Sequence, residues 1–118
     1  MTEFVLIHGS WHGAWRWDHL KRSMEACGDQ VEALTFCGLG ERADELRADV
    51  NLSVHADDVA QRLAARSHHN AVLVAHSYAG MTIARIASHL RDYGFQRVVL
   101  LDAFVPVPGE SALDVAPG

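Results

Sequence analysis

Four short, mostly apolar runs are spaced along the chain and separated by amphipathic stretches. Such runs, bounded by polar residues, are typical of strands that are covered on both faces of a sheet. The predicted strands are FVLI at 4–7, VEAL at 31–34, AVLVA at 71–75 and RVVLL at 97–101. Between them, apolar residues recur at helical spacing, which predicts helices over about 15–26, 54–66 and 79–91.

The alternation of strands with helices predicts an α/β fold, in which helices flank both faces of a parallel sheet in three layers. Ligands of such sheets bind beyond the carboxyl ends of the strands. The loops at that edge are therefore where we expect the chemistry. They cover residues 8–14, 36–53, 76–80 and 102–118.

Length, charge and cysteine content narrow the classes of function. The 118 residues suffice for one domain, and the net charge of −5 argues against a nucleic-acid or membrane partner. No apolar run approaches the roughly 20 residues that a bilayer span needs, and no leader pattern opens the chain, so we expect a cytoplasmic protein. Cys27 and Cys37 are predicted to be free thiols. The histidines show no metal-ligand spacing, so no metal and no other cofactor is expected.

The stretch AVLVAHSYAGM at 71–81 ends a predicted strand on a serine and begins a predicted helix. A serine hydroxyl becomes a nucleophile when a strained strand-to-helix turn presents it beside a base and an oxyanion hole. That turn requires small residues two positions before and two after the serine, and Ala75 and Ala79 hold these positions around Ser77. Ser77 is therefore a candidate nucleophile. On this segment alone, a serine that caps the helix N-terminus is an equal alternative.

A second loop favours the nucleophile. A His-Gly pair follows the first predicted strand in LIHGSWHGAW at 6–15. In hydrolases with such a turn, one oxyanion donor is the backbone N–H after the nucleophile, here Tyr78, and the other comes from the loop after an earlier strand, here Ser10. Gly9 would let this loop approach the substrate oxygen closely. Trp11, beside it, is the best candidate to line a substrate pocket.

Three segments together resemble the α/β-hydrolase superfamily: FVLIHGSWHGAWRWDHL, VLVAHSYAGMTIA and VVLLDAFVP. More narrowly, they are similar to the plant methyl esterase and hydroxynitrile lyase group and its bacterial hydrolase relatives. The loop FCGLGERADE and the following DVNLSVHADDV resemble the bacterial members. The family typically reads Gly-His-Ser-x-Gly-Gly around its nucleophile, so Ala75 and Ala79 depart from its pattern.

The resemblance implies a serine hydrolase that acts on a small ester or related acyl compound. Ser77 would be its nucleophile, with the N–H groups of Ser10 and Tyr78 as the oxyanion hole. The lyases of the group carry threonine where this chain has Gly9, which favours an esterase over a hydroxynitrile lyase. Together with right-handed crossovers, the resemblance also implies an all-parallel sheet. Its strand order would be 31–35, 4–8, 71–76, 97–102.

The other members of a catalytic triad are not evident in the sequence. The fold places an acid and then a histidine after the serine, but only His89 follows Ser77, about three helical turns or ~16 Å along the helix. Asp102, at the end of the fourth predicted strand, is a candidate acid. The family continues into a cap region and further strands that carry acid and base. We therefore expect residues 1–118 to be a single partial domain, the N-terminal half of the fold, and inactive alone.

A partial fold also predicts a need for partners. The strand at 97–102 would be an unpaired apolar edge, which we expect to be covered by the second half, by a partner chain or by another copy of the chain. Two other classes of function stay open. One is a non-catalytic module of this fold that binds a small ligand, and the other is an interaction protein that pairs through the open edge.

Overall fold

The computed structural model describes residues 2–111 and 114, and its elements follow the predicted alternation. The strands are β1 (Glu3–Ile7), β2 (Gln30–Leu34), β3 (Ala71–His76) and β4 (Phe95–Leu101). The α-helices are α1 (Asp18–Ala26), α2 (Leu52–Ala64) and α3 (Ala79–Ile86). Short 3₁₀ segments lie at Ala14–Trp17, Gly40–Glu45 and Ala87–His89.

The strands form one parallel sheet in the order β2-β1-β3-β4, which confirms the predicted order. Leu6 of β1 lies between Ala33 of β2 and Val74 of β3, and Val74 pairs in turn with Val99 of β4. Because parallel neighbours end at the same edge of a sheet, the loop after β1 meets the residues that follow β3. This adjacency positions the candidate site.

Buried apolar side chains cover both faces of the sheet. On one face, Ile7 and Leu73 belong to a cluster with Val59 of α2 and Ile83 of α3. On the other face, a smaller cluster joins Leu6, Val31 and Trp17. Successive strand residues point to opposite faces of the sheet, which is why Leu6 and Ile7 pack in different clusters. The predicted three-layer arrangement is confirmed.

Two helices begin or end elsewhere than predicted, one because of a local hydrogen bond and the other because of a distant contact. α2 begins at Leu52 because the Asn51 side chain accepts a hydrogen bond from the Val54 N–H (3.0 Å) and caps the helix there. α3 ends at Ile86, well before residue 91, and the chain turns at Gly94, where φ is +101°. A Cβ at Gly94 would overlap the carbonyl of His68, so this turn into β4 requires glycine.

β4 lies at the edge of the sheet and exposes apolar side chains. Val98, Val99, Leu100 and Leu101 are between 38% and 47% exposed. A groove of about 370 Å³ lies between α3 and β4, and its lining includes Ala84 and Val105. The predicted apolar edge is therefore present, and its cover stays a prediction. Within the part of the chain that the structure describes, no helix combines the length and apolarity needed to cross a bilayer.

Candidate active site

Ser77 occupies a strained turn between β3 and α3. Its φ is +54°, a left-handed value that non-glycine residues rarely adopt and that is typical of functional turns. The N-cap position of α3 is held by Tyr78 and not by Ser77, and no side chain accepts a capping hydrogen bond at this helix end. The predicted backbone strain is thus confirmed, and the alternative in which the Ser77 hydroxyl caps the helix is wrong.

The carbonyl of Ser77 is held by two amides. The N–H of Gly80 donates to it at 3.1 Å, and the N–H of Phe104, from the loop after β4, donates at 3.0 Å. A Cβ on Gly80 would overlap the Phe104 carbonyl oxygen and lie 3.1 Å from the Ala103 Cβ. The position that requires glycine in this turn is therefore Gly80.

The two alanines that depart from the family pattern fit this turn. Ala75 and Ala79 are both fully buried and belong to the main core cluster. Their methyl groups therefore fill space in the core, and the turn forms around Ser77 with alanine at both positions.

The loop after β1 lies directly against Ser77. A Cβ built on Gly9 would be 3.0 Å from the Ser77 Cβ and 3.1 Å from Nδ1 of His76, so only glycine fits there without displacement. Ser10 is exposed at the tip of this loop. The structure brings together the two segments that the sequence analysis paired. The convergence of the Ser10 and Tyr78 amides on one oxygen stays a prediction.

His8 anchors this loop from inside the core. It is completely buried, its Nδ1–H donates to the Gly9 carbonyl (2.6 Å), and its Nε2 accepts from the Phe36 N–H (3.0 Å). Burial lowers the pKa of His8, so the ring is neutral near pH 7. Because both ring nitrogens are engaged, His8 is not a free base for Ser77.

His55, which the sequence analysis did not assign to the site, contacts the residue after the candidate nucleophile. Its Nδ1 lies 2.9 Å from the Tyr78 hydroxyl, and its Nε2 lies 3.1 Å from the Cys37 carbonyl. Burial lowers the pKa of His55 and raises the pKa of Tyr78 to about 12. Helical periodicity was the available signal, since His55, Val59 and Leu63 are spaced four residues apart and share one face of α2.

The loop after β2 is fixed beside the site by a buried hydroxyl and an arginine. The Thr35 hydroxyl accepts from the Ala14 N–H (2.9 Å) and donates to Glu41. Arg42 bridges Glu45 (2.7 Å) and Asp58 (2.8 Å), which raises the pKa of its guanidinium. These contacts attach the loop both to the segment that follows the candidate oxyanion loop and to α2.

Two further candidate residues, Trp11 and Asp102, lie at the surface of the described structure. Trp11 is 88% exposed with a φ of +65°, and its place in a substrate pocket stays a prediction. Asp102 is exposed, with a φ of +48°, and makes no side-chain hydrogen bond to a histidine among residues 2–111 and 114. Within the same residues, no histidine is hydrogen-bonded to the Ser77 side chain either.

Comparison with known sequences gives a consistent result. The profile described as "Alpha/beta hydrolase family" matches residues 4–118. A carbendazim-hydrolysing esterase of Nocardioides sp. (strain SG-4G) is 36% identical over 117 residues, which cover 99% of this chain and 48% of that protein. Salicylic acid-binding protein 2 of Nicotiana tabacum is 33% identical over 106 residues, or 87% of this chain and 40% of that protein.

Comparison with solved structures points the same way. An extracellular alpha/beta-hydrolase from a Paenibacillus species superposes with a TM-score of 0.83 at 28% identity, over 94% of this chain and 44% of that one. The chain therefore spans about half the length, or less, of the proteins that it resembles. The expected cytoplasmic location stays a prediction, since this structural relative is described as extracellular.

Proposed function

Because the chain belongs to the alpha/beta hydrolase family, we propose that it carries the nucleophile and the oxyanion hole of an esterase-type serine hydrolase. The observation that carries the proposal is the φ of +54° at Ser77, in a turn against which Gly9 packs. A strained serine between a strand and a helix, next to the loop of an earlier strand, is the arrangement that presents a nucleophile to an acyl carbon.

The proposed reaction is acyl transfer through Ser77. Its Oγ attacks the carbonyl carbon of the ester, the hydroxyl proton passes to a base, and the negative oxygen is held by the N–H groups of Ser10 and Tyr78. The alcohol leaves with that proton, and water then releases the acid from the serine ester. Each backbone donor contributes about 3 kcal/mol to stabilising the transition state.

We propose that the base and the acid come from polypeptide other than residues 2–111 and 114. Two observations support this: the chain spans 40–48% of its curated relatives, and no histidine in the described residues is hydrogen-bonded to Ser77. Without an imidazole the turnover falls by roughly a million-fold. The apolar edge strand β4 is the proposed docking surface for that polypeptide, whether it is the second half of the fold or a partner chain.

The proposed substrate is a small ester or related acyl compound. The relatives support this class, since one is named as an esterase. Gly9 supports ester hydrolysis over cyanohydrin cleavage, because the threonine of the lyases would meet the Ser77 Cβ and the His76 ring in this structure.

The test is labelling of Ser77 by a fluorophosphonate, with and without free imidazole as an external base. We expect imidazole to accelerate labelling of the chain, and Ser77→Ala to abolish it. Ser88→Ala, which removes an exposed serine beyond α3, is the matched control and should be labelled at the wild-type rate. Labelling that persists in Ser77→Ala, or no labelling with imidazole present, would contradict the proposal.

A second candidate function is a non-catalytic module that binds a small ligand. It is favoured by the absence, in the described residues, of a histidine bonded to Ser77, and by a relative that is named for binding salicylic acid. Saturable binding of a small aromatic acid by calorimetry, together with an unreactive Ser77 in imidazole, would favour this alternative.

A further inference from the structure

The ring of His55 has only one tautomer that fits its two partners. A carbonyl can only accept, so the Nε2 that faces the Cys37 carbonyl (3.1 Å) carries the hydrogen. Nδ1 then has a free lone pair, and the Tyr78 hydroxyl at 2.9 Å donates to it. The hydrogen bonds run in one direction, from Tyr78 through His55 to the chain after β2.

Aromatic packing holds this arrangement in place. The His55 ring stacks on Phe36, with centroids 4.8 Å apart, and the Tyr78 ring meets both of them edge-on at 5.5 and 5.7 Å. Phe36 is itself 1% exposed and its N–H bonds to the buried His8. Tyr78 is therefore attached to the same segment that anchors the loop of Gly9.

The electrostatic surroundings keep His55 neutral and Tyr78 protonated. The charged groups that face His55 are Asp58, from its own helix, and Arg42, from the loop after β2, and these two pair with each other at 2.8 Å. Burial is the largest influence and lowers the pKa of His55, while burial raises the pKa of Tyr78 to about 12. Near neutral pH, Nδ1 is thus an acceptor and the phenol a donor.

We propose that His55 is a positioning residue, which through the Tyr78 hydroxyl fixes the Tyr78 peptide whose N–H serves as the second oxyanion donor. This rests on the proposed function, because the N–H matters only if Ser77 reacts. As the amide of the residue that caps the N-terminus of α3, the Tyr78 N–H has no acceptor within the helix and is available to a substrate oxygen. Its direction depends on the peptide between Ser77 and Tyr78, and the tether of the side chain restrains that peptide.

Two substitutions at His55 separate its two hydrogen bonds. His55→Asn places a side-chain oxygen near the Nδ1 position and keeps an acceptor for Tyr78. His55→Gln places its amide near the Nε2 position and keeps a donor for Cys37, but leaves the Tyr78 hydroxyl without its acceptor. Tyr78→Phe removes the same contact from the other side and changes one oxygen only.

The experiment measures imidazole-assisted labelling of Ser77 by a fluorophosphonate, and the ¹H–¹⁵N signal of the Tyr78 amide against pH. We expect labelling to slow about tenfold in His55→Gln and in Tyr78→Phe, since loss of a whole oxyanion donor costs roughly 10²–10³. In the double variant, which combines His55→Gln with Tyr78→Phe, Ser77 should be labelled no more slowly than in either single variant. In His55→Asn, labelling should retain most of the wild-type rate. In the wild type, the amide signal should shift as the His55 ring titrates.

The proposal would be overturned if Ser77 were labelled at equal rates in His55→Asn and His55→Gln, whether or not both are slower than the wild type. It would also be overturned if the Tyr78 amide signal did not shift as His55 titrates. If Ser77 is labelled at one rate in all variants, His55 does not position the site although the proposed function stands. If Ser77 is never labelled, the proposed function fails and the amide titration alone decides the role of His55. Should circular dichroism show that His55→Gln does not fold, Tyr78→Phe gives the answer.

Discussion

Replacing Gly80 with alanine should damage the turn that carries Ser77. The added Cβ would overlap the Phe104 carbonyl oxygen and lie 3.1 Å from the Ala103 Cβ, so the loop after β4 must move away. That movement breaks the hydrogen bond from the Phe104 N–H to the Ser77 carbonyl, now 3.0 Å, a loss of about 1 kcal/mol. Crowding in a packed region adds about 1–3 kcal/mol, and the better helix propensity of alanine returns about 1 kcal/mol. The expected net loss is about 1–3 kcal/mol of the free energy of unfolding.

Urea denaturation measures that loss, and hydrogen exchange of the Phe104 amide reports the broken contact. Gly28→Ala is the matched control, because a Cβ there meets nothing within 4 Å and only the φ of +92° is unfavourable. The control should lose about 1–2 kcal/mol through backbone strain yet keep the Phe104 amide protected and Ser77 labelled at the wild-type rate. A Gly80→Ala protein at least as stable as the wild type, with that amide still protected, would refute the reasoning.

Three further predictions concern the buried histidines and the strain at Ser77. Burial lowers the pKa of His8 and of His55, so each binds more protons in the unfolded state than in the folded state. The urea midpoint should therefore fall as the pH drops from about 7.5 to about 5.5. A urea midpoint that does not change over this pH range would contradict this. Ser77→Gly should raise the free energy of unfolding by about 1 kcal/mol, because glycine adopts a φ of +54° without strain. The same variant should not be labelled by the fluorophosphonate at this position. A variant less stable than the wild type would count against strain at Ser77. Glu3 bonds to the buried His68, and Glu3→Gln should lower the free energy of unfolding by about 2 kcal/mol, whereas the exposed Glu25→Gln should not.

The strands could be predicted because the evidence for them is local, and their order because the family resemblance implies it. An apolar run such as 71–75 indicates a buried strand whatever lies around it, and crossover handedness together with family resemblance leaves one order for four strands. The strained turn at Ser77 was predictable for the same reason, since the residue types that surround it are adjacent in sequence.

The end of α3 was predicted less well, because a distant contact decides where the chain turns into β4. The turn at Gly94 is determined by its packing on His68, 26 residues earlier, and that contact leaves no trace in helical periodicity. Trp11 is exposed at a φ of +65°, and its place in a substrate pocket stays a prediction.

The sequence by itself determined the layers and the serine at the end of β3, because hydrophobic period and turn chemistry are properties of neighbouring residues, whereas the strand order was implied by the family resemblance. Only the tertiary structure decided which of the histidines touch the site. His8 reaches Phe36 across 28 residues and His55 reaches Tyr78 across 23. A hydrogen bond depends on angstrom-scale distances between groups that the fold brings together, and residue types along the chain carry no record of those distances.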